Sequence, residues 1–221
     1  MFSIKEAIKV GWEKTKANFW KSVAIVFISV SIPFLMEILS GTIEKRGSVV
    51  AFPIYMVLVI AVVYLSVALK IGGTKLFLRI YDGENPEIKE IFNTYGMFWR
   101  FLGQSILYSL IVIGGTILLI VPGVIFAIMY SFASIIIVDT NIGIKASLKE
   151  SKVITAGSKW KLFGFFIVVG LLNILGYIAL GVGIFVTIPI TTFAMIHIYR
   201  ELTKKKAGMA TPVESAPAPV Q

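Results

Sequence analysis

The sequence contains no cysteine and only one histidine, and its acidic residues are few. Without cysteine, a disulfide framework, a thiolate nucleophile and a cysteine-ligated metal site are all excluded. Only 15% of the residues are charged, and His, Asp and Glu do not cluster as acid–base catalysis or metal binding requires. We therefore expect a protein that is not an enzyme, with no catalytic, cofactor-binding or metal-binding residues and no cofactor.

Hydrophobic residues, by contrast, make up 57% of the chain, and the mean hydropathy is +0.89. A water-soluble globule cannot cover so much apolar surface. The apolar residues form blocks at 21–43, 49–70, 101–138 and 162–199, and each of the last two can cross twice, because one helical crossing needs roughly 20 residues. The sequence therefore predicts an all-α, polytopic membrane protein with six transmembrane helices. The predicted spans are Lys21–Ile43, Val49–Ile71, Phe101–Val121, Gly123–Val138, Leu162–Leu180 and Gly183–Tyr199.

The basic residues fall unevenly on the two sides of these spans. Of the 21 Lys and Arg residues, only Lys45 and Arg46 lie in the loops of one side, where the turns at Pro122-Gly123 and at 181–183 carry no charge. Short loops rich in Lys and Arg stay in the cytoplasm, so we predict a multi-pass protein of the cell membrane with cytoplasmic N- and C-termini. Because the cations lie near span ends, the net charge of +9 favours anionic lipid headgroups of the bilayer as partners, and not nucleic acid.

An aromatic-basic step precedes each odd-numbered span. The three steps are Phe19-Trp20-Lys21, Phe98-Trp99-Arg100 and Lys159-Trp160-Lys161. Trp prefers the headgroup level of a bilayer, and a neighbouring cation can reach lipid phosphates. We therefore predict six membrane-interface anchors: Trp20, Lys21, Trp99, Arg100, Trp160 and Lys161.

The second and third hairpins share a pattern. A shift of 61 positions, without a gap, aligns Trp99 with Trp160, Gly103 with Gly164, Gly115 with Gly176, and Phe132-Ala133 with Phe193-Ala194. Residues near the N-terminus align with the stretch before the fifth span, whereas the membrane part of the first hairpin matches poorly. Two spans per unit leave successive units in the same orientation, so we predict three parallel-repeat hairpins.

Short segments with helical periodicity precede the hairpins. Residues 1–20 begin with Ser3 and Glu6 at capping-box spacing, and their apolar face is predicted to contain Ile4, Ile8, Trp12 and Phe19. A second helix is predicted to begin at Pro86, after Asn85 as N-cap. Such cytoplasmic interfacial helices either lie in the membrane interface or pack on the ends of the spans.

Three regions follow along the chain. Residues 1–20 are predicted to form an interfacial amphipathic helix, and residues 21–200 the six-span membrane domain. The tail at 201–221 ends in a run rich in Ala, Pro and Val, which cannot bury enough surface to fold. We predict that this cytoplasmic tail is disordered.

Few polar side chains fall within the predicted spans. Glu37 is the one acid there, and an ionisable group at membrane depth is a candidate for function, although its position near the outer end also lets it reach water. The uncharged polar residues fit close helix packing or, alternatively, a polar pocket between the repeats. For such a pocket the candidate lining residues are Tyr130, Asn173 and Tyr177.

The second half of the chain also carries a resemblance. Residues from Pro122-Gly123 through Asp139, then 144–151, Trp160, 162–164 and 181–200, resemble a broad family of largely uncharacterised prokaryotic six-span membrane proteins. That family is similar to the membrane domain of some glycerophosphodiester phosphodiesterases. The resemblance implies the membrane part without the hydrolase domain, and it carries no catalytic residue across.

Two functions are compatible with these features. The first is a non-enzymatic membrane protein that organises lipid, or scaffolds membrane or cytoplasmic protein partners, at the cytoplasmic face. The second is a small transporter or lipid-handling protein with a pocket between the repeated hairpins.

Overall fold

Every regular element in the described part of the chain is a helix. The computed structural model describes residues 2–44, 51–94, 96–179 and 182–210. Nine α-helices occur in these ranges, with a 3₁₀ helix at Ile88–Phe92: α1 (Ile4–Ala17), α2 (Phe19–Glu44), α3 (Ala51–Tyr81), α4 (Phe98–Leu118), α5 (Ile120–Met129), α6 (Ala133–Thr140), α7 (Ile144–Thr155), α8 (Lys159–Ile178) and α9 (Ile184–Ala210). The predicted all-α fold is confirmed.

Four helical segments are long and apolar enough to cross a membrane. They are Tyr55–Tyr81, Phe98–Leu118, Ile120–Thr140 and Lys159–Ile178. The number becomes five if α1 and the following helix to Leu35, which bend by 96° at their junction, count as one span. In α9 the apolar first half is followed by polar and charged residues, which shortens its hydrophobic stretch. These segments fit a multi-pass membrane protein.

Apolar side chains are distributed between an exposed surface and a buried core. Large hydrophobic residues such as Phe34, Ile60, Ile117 and Leu175 are more than half exposed, which suits a hydrocarbon surrounding. The core lies elsewhere, and its largest fully buried side chains include Phe101, Phe132, Phe165 and Phe193. The helices therefore pack tightly over only part of their length.

Helix α1 packs on α9 through small residues. Ala7, Gly11 and Thr15 recur every fourth residue on one face of α1, and all three are buried. A Cβ on Gly11 would overlap the carbonyl oxygen of Ile190, so glycine permits this close approach. Of the predicted apolar face of residues 1–20, Ile4 and Ile8 pack against the core, whereas Trp12 and Phe19 are exposed.

A break between α5 and α6 is held by α7. The hydroxyl of Ser151 in α7 donates a hydrogen bond to the carbonyl oxygen of Met129 at 2.9 Å, and the Thr155 hydroxyl, which bonds to the Ser151 carbonyl at 2.9 Å, lies 3.3 Å from the same Met129 oxygen. The same Ser151 hydroxyl accepts a hydrogen bond from the amide of Phe132 at 3.3 Å. Side chains thus satisfy backbone groups that the interrupted helix leaves unpaired.

The last helix extends into the predicted tail. α9 continues to Ala210, so residues 201–210, which we predicted to be disordered, are helical. The extension is stabilised by burial of Leu202 and by a salt bridge from Lys206 to Glu150 of α7, with an N–O distance of 2.6 Å. Residues 211–221 lie outside the described residues.

Candidate functional site

The three predicted tryptophan anchors are strongly exposed. Trp20, Trp99 and Trp160 are 81%, 78% and 86% exposed, and each lies at the first or second residue of its helix. Each indole contacts a phenylalanine edge-on, with ring centroids 5.5, 5.3 and 6.3 Å apart. These contacts orient large amphipathic rings away from the protein at the start of α2, α4 and α8.

Two of the cations next to these tryptophans, Arg100 and Lys21, donate hydrogen bonds to oxygen atoms of the protein. Arg100 Nη1 donates to the backbone and side-chain oxygens of Asn141, at 2.8 and 2.9 Å, and Asn141 adopts a left-handed conformation at the end of α6. Lys21 similarly donates to the side chain of Asn85 and to the carbonyl of Pro86, after the end of α3. Each of these cations therefore joins the start of one helix to the segment after the next membrane-length helix. Lys161 is exposed at the third step.

A cluster of charged side chains joins the C-terminal ends of α3 and α6 to the middle of α9. Arg200 Nη1 lies 2.7 Å from Asp139, and its Nη2 lies 2.6 Å from Asp82. Tyr199 also donates a hydrogen bond to Asp139, at 2.7 Å. The planar guanidinium is suited to holding two carboxylates at once.

Burial and charge act in opposite directions on this cluster. Burial disfavours the charged form of Arg200, but its hydrogen bonds to Asp139 and Asp82 outweigh that effect and leave the pKa of Arg200 raised. Arg200 therefore stays charged at any pH at which the protein is folded. Its charge is offset by two acidic partners, which suits a structural role.

The only histidine belongs to the same end of the bundle. His197 Nδ1 is 2.8 Å from the hydroxyl of Tyr81, and Lys14 of α1 donates to the carbonyl of Tyr81 at 2.8 Å. These contacts link α1, α3 and α9 within one turn of Arg200. His197 thus serves as a packed, hydrogen-bonded side chain.

A polar cavity lies between α3, α4, α8, α9 and the break after α5. Its volume is about 330 Å³. The polar lining residues are Lys70, Gln104, Ser105, Tyr108, Ser109, Tyr130, Ser131 and Ser134, and they are completed by Phe101, Phe166 and Met195. We call this the Lys70 cavity.

The predicted pocket residues are not brought together. Tyr130 lines the Lys70 cavity, but Asn173 and Tyr177 do not. Both lie in the last two turns of α8, where Tyr177 is 71% exposed. Glu37 lies far along α2 and is exposed. Lys70 and the remaining lining residues were not among the predicted pocket residues.

We also did not predict from the sequence that one arginine binds both Asp82 and Asp139. A sequence pattern marks them: residues 80–82 read Ile-Tyr-Asp, 137–139 read Ile-Val-Asp, and 198–200 read Ile-Tyr-Arg. The shift of 61 positions aligns Asp139 with Arg200 in the sequence. Opposite charges at matching positions indicate contact only if the repeats meet at these ends, which needs the tertiary structure.

Comparison of the chain with protein-family models, with curated proteins and with solved structures finds no match. The resemblance to the six-span membrane family therefore stays a prediction.

Proposed function

We propose that this chain is a six-span integral membrane protein of the cell membrane, built from three parallel hairpins with both termini in the cytoplasm. A helix occupies each of the six predicted positions, with α5 and α6 together forming the fourth. The uneven distribution of Lys and Arg supports the orientation.

Matching burial supports the repeat. Under the shift of 61 positions, most residues that are buried in the second hairpin fall on residues that are buried in the third, although Gly123 and Ile136 fall on the half-buried Ile184 and His197. The pairs are Phe101 with Leu162, Gln104 with Phe165, Gly115 with Gly176, Phe132 with Phe193, Ile135 with Ile196 and Ile137 with Ile198. Hydrophobic composition alone does not require that both members of each pair face the core.

We propose further that the protein is not an enzyme and organises anionic lipid, or scaffolds protein partners, at its cytoplasmic face. The observation that carries this proposal is the exposure of Trp20, Trp99 and Trp160 at three helix starts. Indoles anchor at the headgroup level, and adjacent cations attract anionic lipid. The three steps would position the bilayer surface around the cytoplasmic end.

Replacement of the three tryptophans by alanine tests this role, and Trp12 provides the matched control. Trp12 is also exposed but lies within α1, outside the three steps. The protein is extracted from native membranes in a polymer that retains surrounding lipid, and its lipids and accompanying proteins are quantified. We expect the triple variant to lose enrichment of anionic lipid or of a stoichiometric partner, whereas Trp12→Ala keeps it. Equal composition in both variants contradicts the proposal.

A second candidate function is lipid handling or transport of a small molecule. The Lys70 cavity favours it, because a concave site with several convergent polar groups is the usual form of a ligand site. The same extraction discriminates between the two candidates. A molecule held in the interior after the surrounding lipid has been removed supports the second.

A further inference from the structure

The Lys70 cavity borders an apolar groove between α5 and α8. A neighbouring cavity of about 330 Å³ shares Tyr108, Ser131 and Phe166 with it. Beyond that lies a cavity of about 360 Å³, which shares residues such as Ile128 and Phe163 with its neighbour. We call these two apolar cavities the α5–α8 groove. The shared lining places the three cavities side by side: the Lys70 cavity is polar, the other two are mostly apolar, and Lys159 lines the far one.

The Lys70 cavity, the polar end of this row, carries the positive charge of Lys70, whose side chain is exposed. Among the described residues, Lys70 is the only ionisable cation of the lining, and no carboxylate lines it. Lys70 also takes no part in the ion pairs of the described residues. Tyr108 and Ser131 donate to backbone carbonyl oxygens. The other hydroxyl groups of the lining, those of Ser105, Ser109, Tyr130 and Ser134, can donate hydrogen bonds to an anion. The electrostatic character of this end therefore favours a negatively charged group.

A buried amide belongs to the lining of the same cavity. Gln104 is 2% exposed, and its side-chain oxygen has no hydrogen-bond partner in the structure. A buried acceptor without a partner is costly and rare. Gln104 lines the Lys70 cavity, so a ligand hydroxyl placed there can donate the missing hydrogen bond.

We propose that the Lys70 cavity and the α5–α8 groove together bind one phospholipid whose anionic headgroup carries hydroxyl groups. The phosphate pairs with Lys70 and the surrounding hydroxyl donors, a headgroup hydroxyl donates to Gln104, and an acyl chain occupies the groove. A free phosphate ester would satisfy the polar end alone and leave the groove unused. This inference rests on the proposed membrane location and specifies the ligand of the second candidate function.

Native mass spectrometry of the full-length chain tests the site. The protein is reconstituted with phosphatidylglycerol, whose headgroup is anionic and hydroxylated, or with phosphatidylcholine, and is then stripped of weakly held lipid. We expect one phosphatidylglycerol to be retained and phosphatidylcholine to be lost. Glycerol phosphate added in excess should not displace the lipid, because it makes no contact with the groove.

Three substitutions test separately how the Lys70 charge, the Gln104 amide and the α5–α8 groove contribute to lipid retention. Lys70→Gln should lower retention of phosphatidylglycerol by about tenfold, since a charge-assisted hydrogen bond is lost, whereas Lys70→Arg should keep it. Lys75→Gln is the control, because Lys75 lies on the same helix and does not line the cavity. Gln104→Leu and Ala127→Phe should each weaken retention, the first by removing the acceptor and the second by filling the groove, which Ala127 lines.

Several results would overturn the proposal. They are retention of both lipids to the same extent, displacement by glycerol phosphate alone, or equal retention by Lys70→Gln and Lys75→Gln. If Lys70→Gln fails to fold, unchanged retention in both Gln104→Leu and Ala127→Phe overturns it instead. The outcome is separate from that of the tryptophan experiment, which measures the surrounding lipid before stripping. One readout can therefore fail while the other holds.

Discussion

Arg200, near the middle of α9, lies 2.7 Å from Asp139 of α6, and both side chains are mostly buried, with 24% and 18% of their surfaces exposed. Asp82, the second carboxylate on Arg200, is 42% exposed. Removal of a mostly buried carboxylate costs more than removal of an exposed one, because water screens the buried charge pair less. Asp139→Asn leaves Arg200 with only the more exposed Asp82 as its ionic partner. The two carboxylates should therefore differ in their effects on stability.

We expect Asp139→Asn to lower the free energy of unfolding by about 3 kcal/mol and Asp82→Asn by about 1 kcal/mol or less. Chemical or thermal unfolding in detergent measures both. Asp139→Asn also weakens the hydrogen bond from Tyr199, which adds to its cost. Equal losses in the two variants would show that the exposure of the carboxylates does not control their contribution.

The contact between α1 and α9 depends on glycine. Gly11→Ala places a methyl group against the carbonyl oxygen of Ile190, and we expect a loss of about 1–3 kcal/mol from overpacking. Gly208→Ala is the matched control in α9, because nothing lies within 4 Å of its added Cβ. That change should be neutral or stabilise the helix by up to about 1 kcal/mol. A Gly11→Ala protein as stable as the control would contradict the close packing of α1.

Hydropathy and turn residues could predict where the helices occur, because a span requires a long apolar run and Gly or Pro interrupts it. Apolar periodicity predicted only part of the packing face of α1. Ile4 and Ile8 pack against the core, but Trp12 is exposed, and the close approach to α9 occurs at the small residue Gly11. The helix expected after Asn85 is only a 3₁₀ helix, which begins at Ile88 and has a capping box between Glu87 and Glu90.

The candidate sites, too, could be predicted only in part from the sequence. Exposure of the three tryptophans followed from their place beside cations at span starts. The contacts of Lys21 and Arg100 could not be predicted, because a sequence does not show whether a cation binds lipid or a carbonyl oxygen from another segment. The Lys70 cavity likewise combines residues from five segments that are far apart in the chain, and only Tyr130 of its lining was anticipated.

The 3₁₀ helix should contribute a pH-dependent part of the stability. A backbone hydrogen bond from Glu87 and, against the effect of burial, an ion pair with Arg79 lower the pKa of Glu90 below its ordinary value of 4.5. A lowered folded-state pKa means that the ionised form stabilises the fold. The contribution is therefore complete above pH 4.5 and is lost as the pH falls through the lowered folded-state pKa.

Glu90→Gln should thus be less stable than the parent protein at neutral pH, and the difference should shrink as the solution is acidified below pH 4.5. Thermal unfolding midpoints across this range measure the effect. Glu13→Gln is the control, because Glu13 is exposed on α1 and makes only a 3.9 Å contact with Lys9. A stability difference for Glu90→Gln that persists unchanged in acid would be inconsistent with this assignment.

The absence of native cysteine allows the orientation to be mapped with single introduced cysteines. Glu13→Cys in α1 and Lys205→Cys in α9 lie at exposed positions near the two ends, and Val182→Cys lies at an exposed position before α9. Short loops rich in Lys and Arg stay in the cytoplasm, so we expect a membrane-impermeant maleimide to label Val182→Cys in intact cells. The other two positions should react only after the membrane is opened. Labelling of Glu13→Cys and Lys205→Cys from opposite faces would require an odd number of crossings and would exclude the six-span topology.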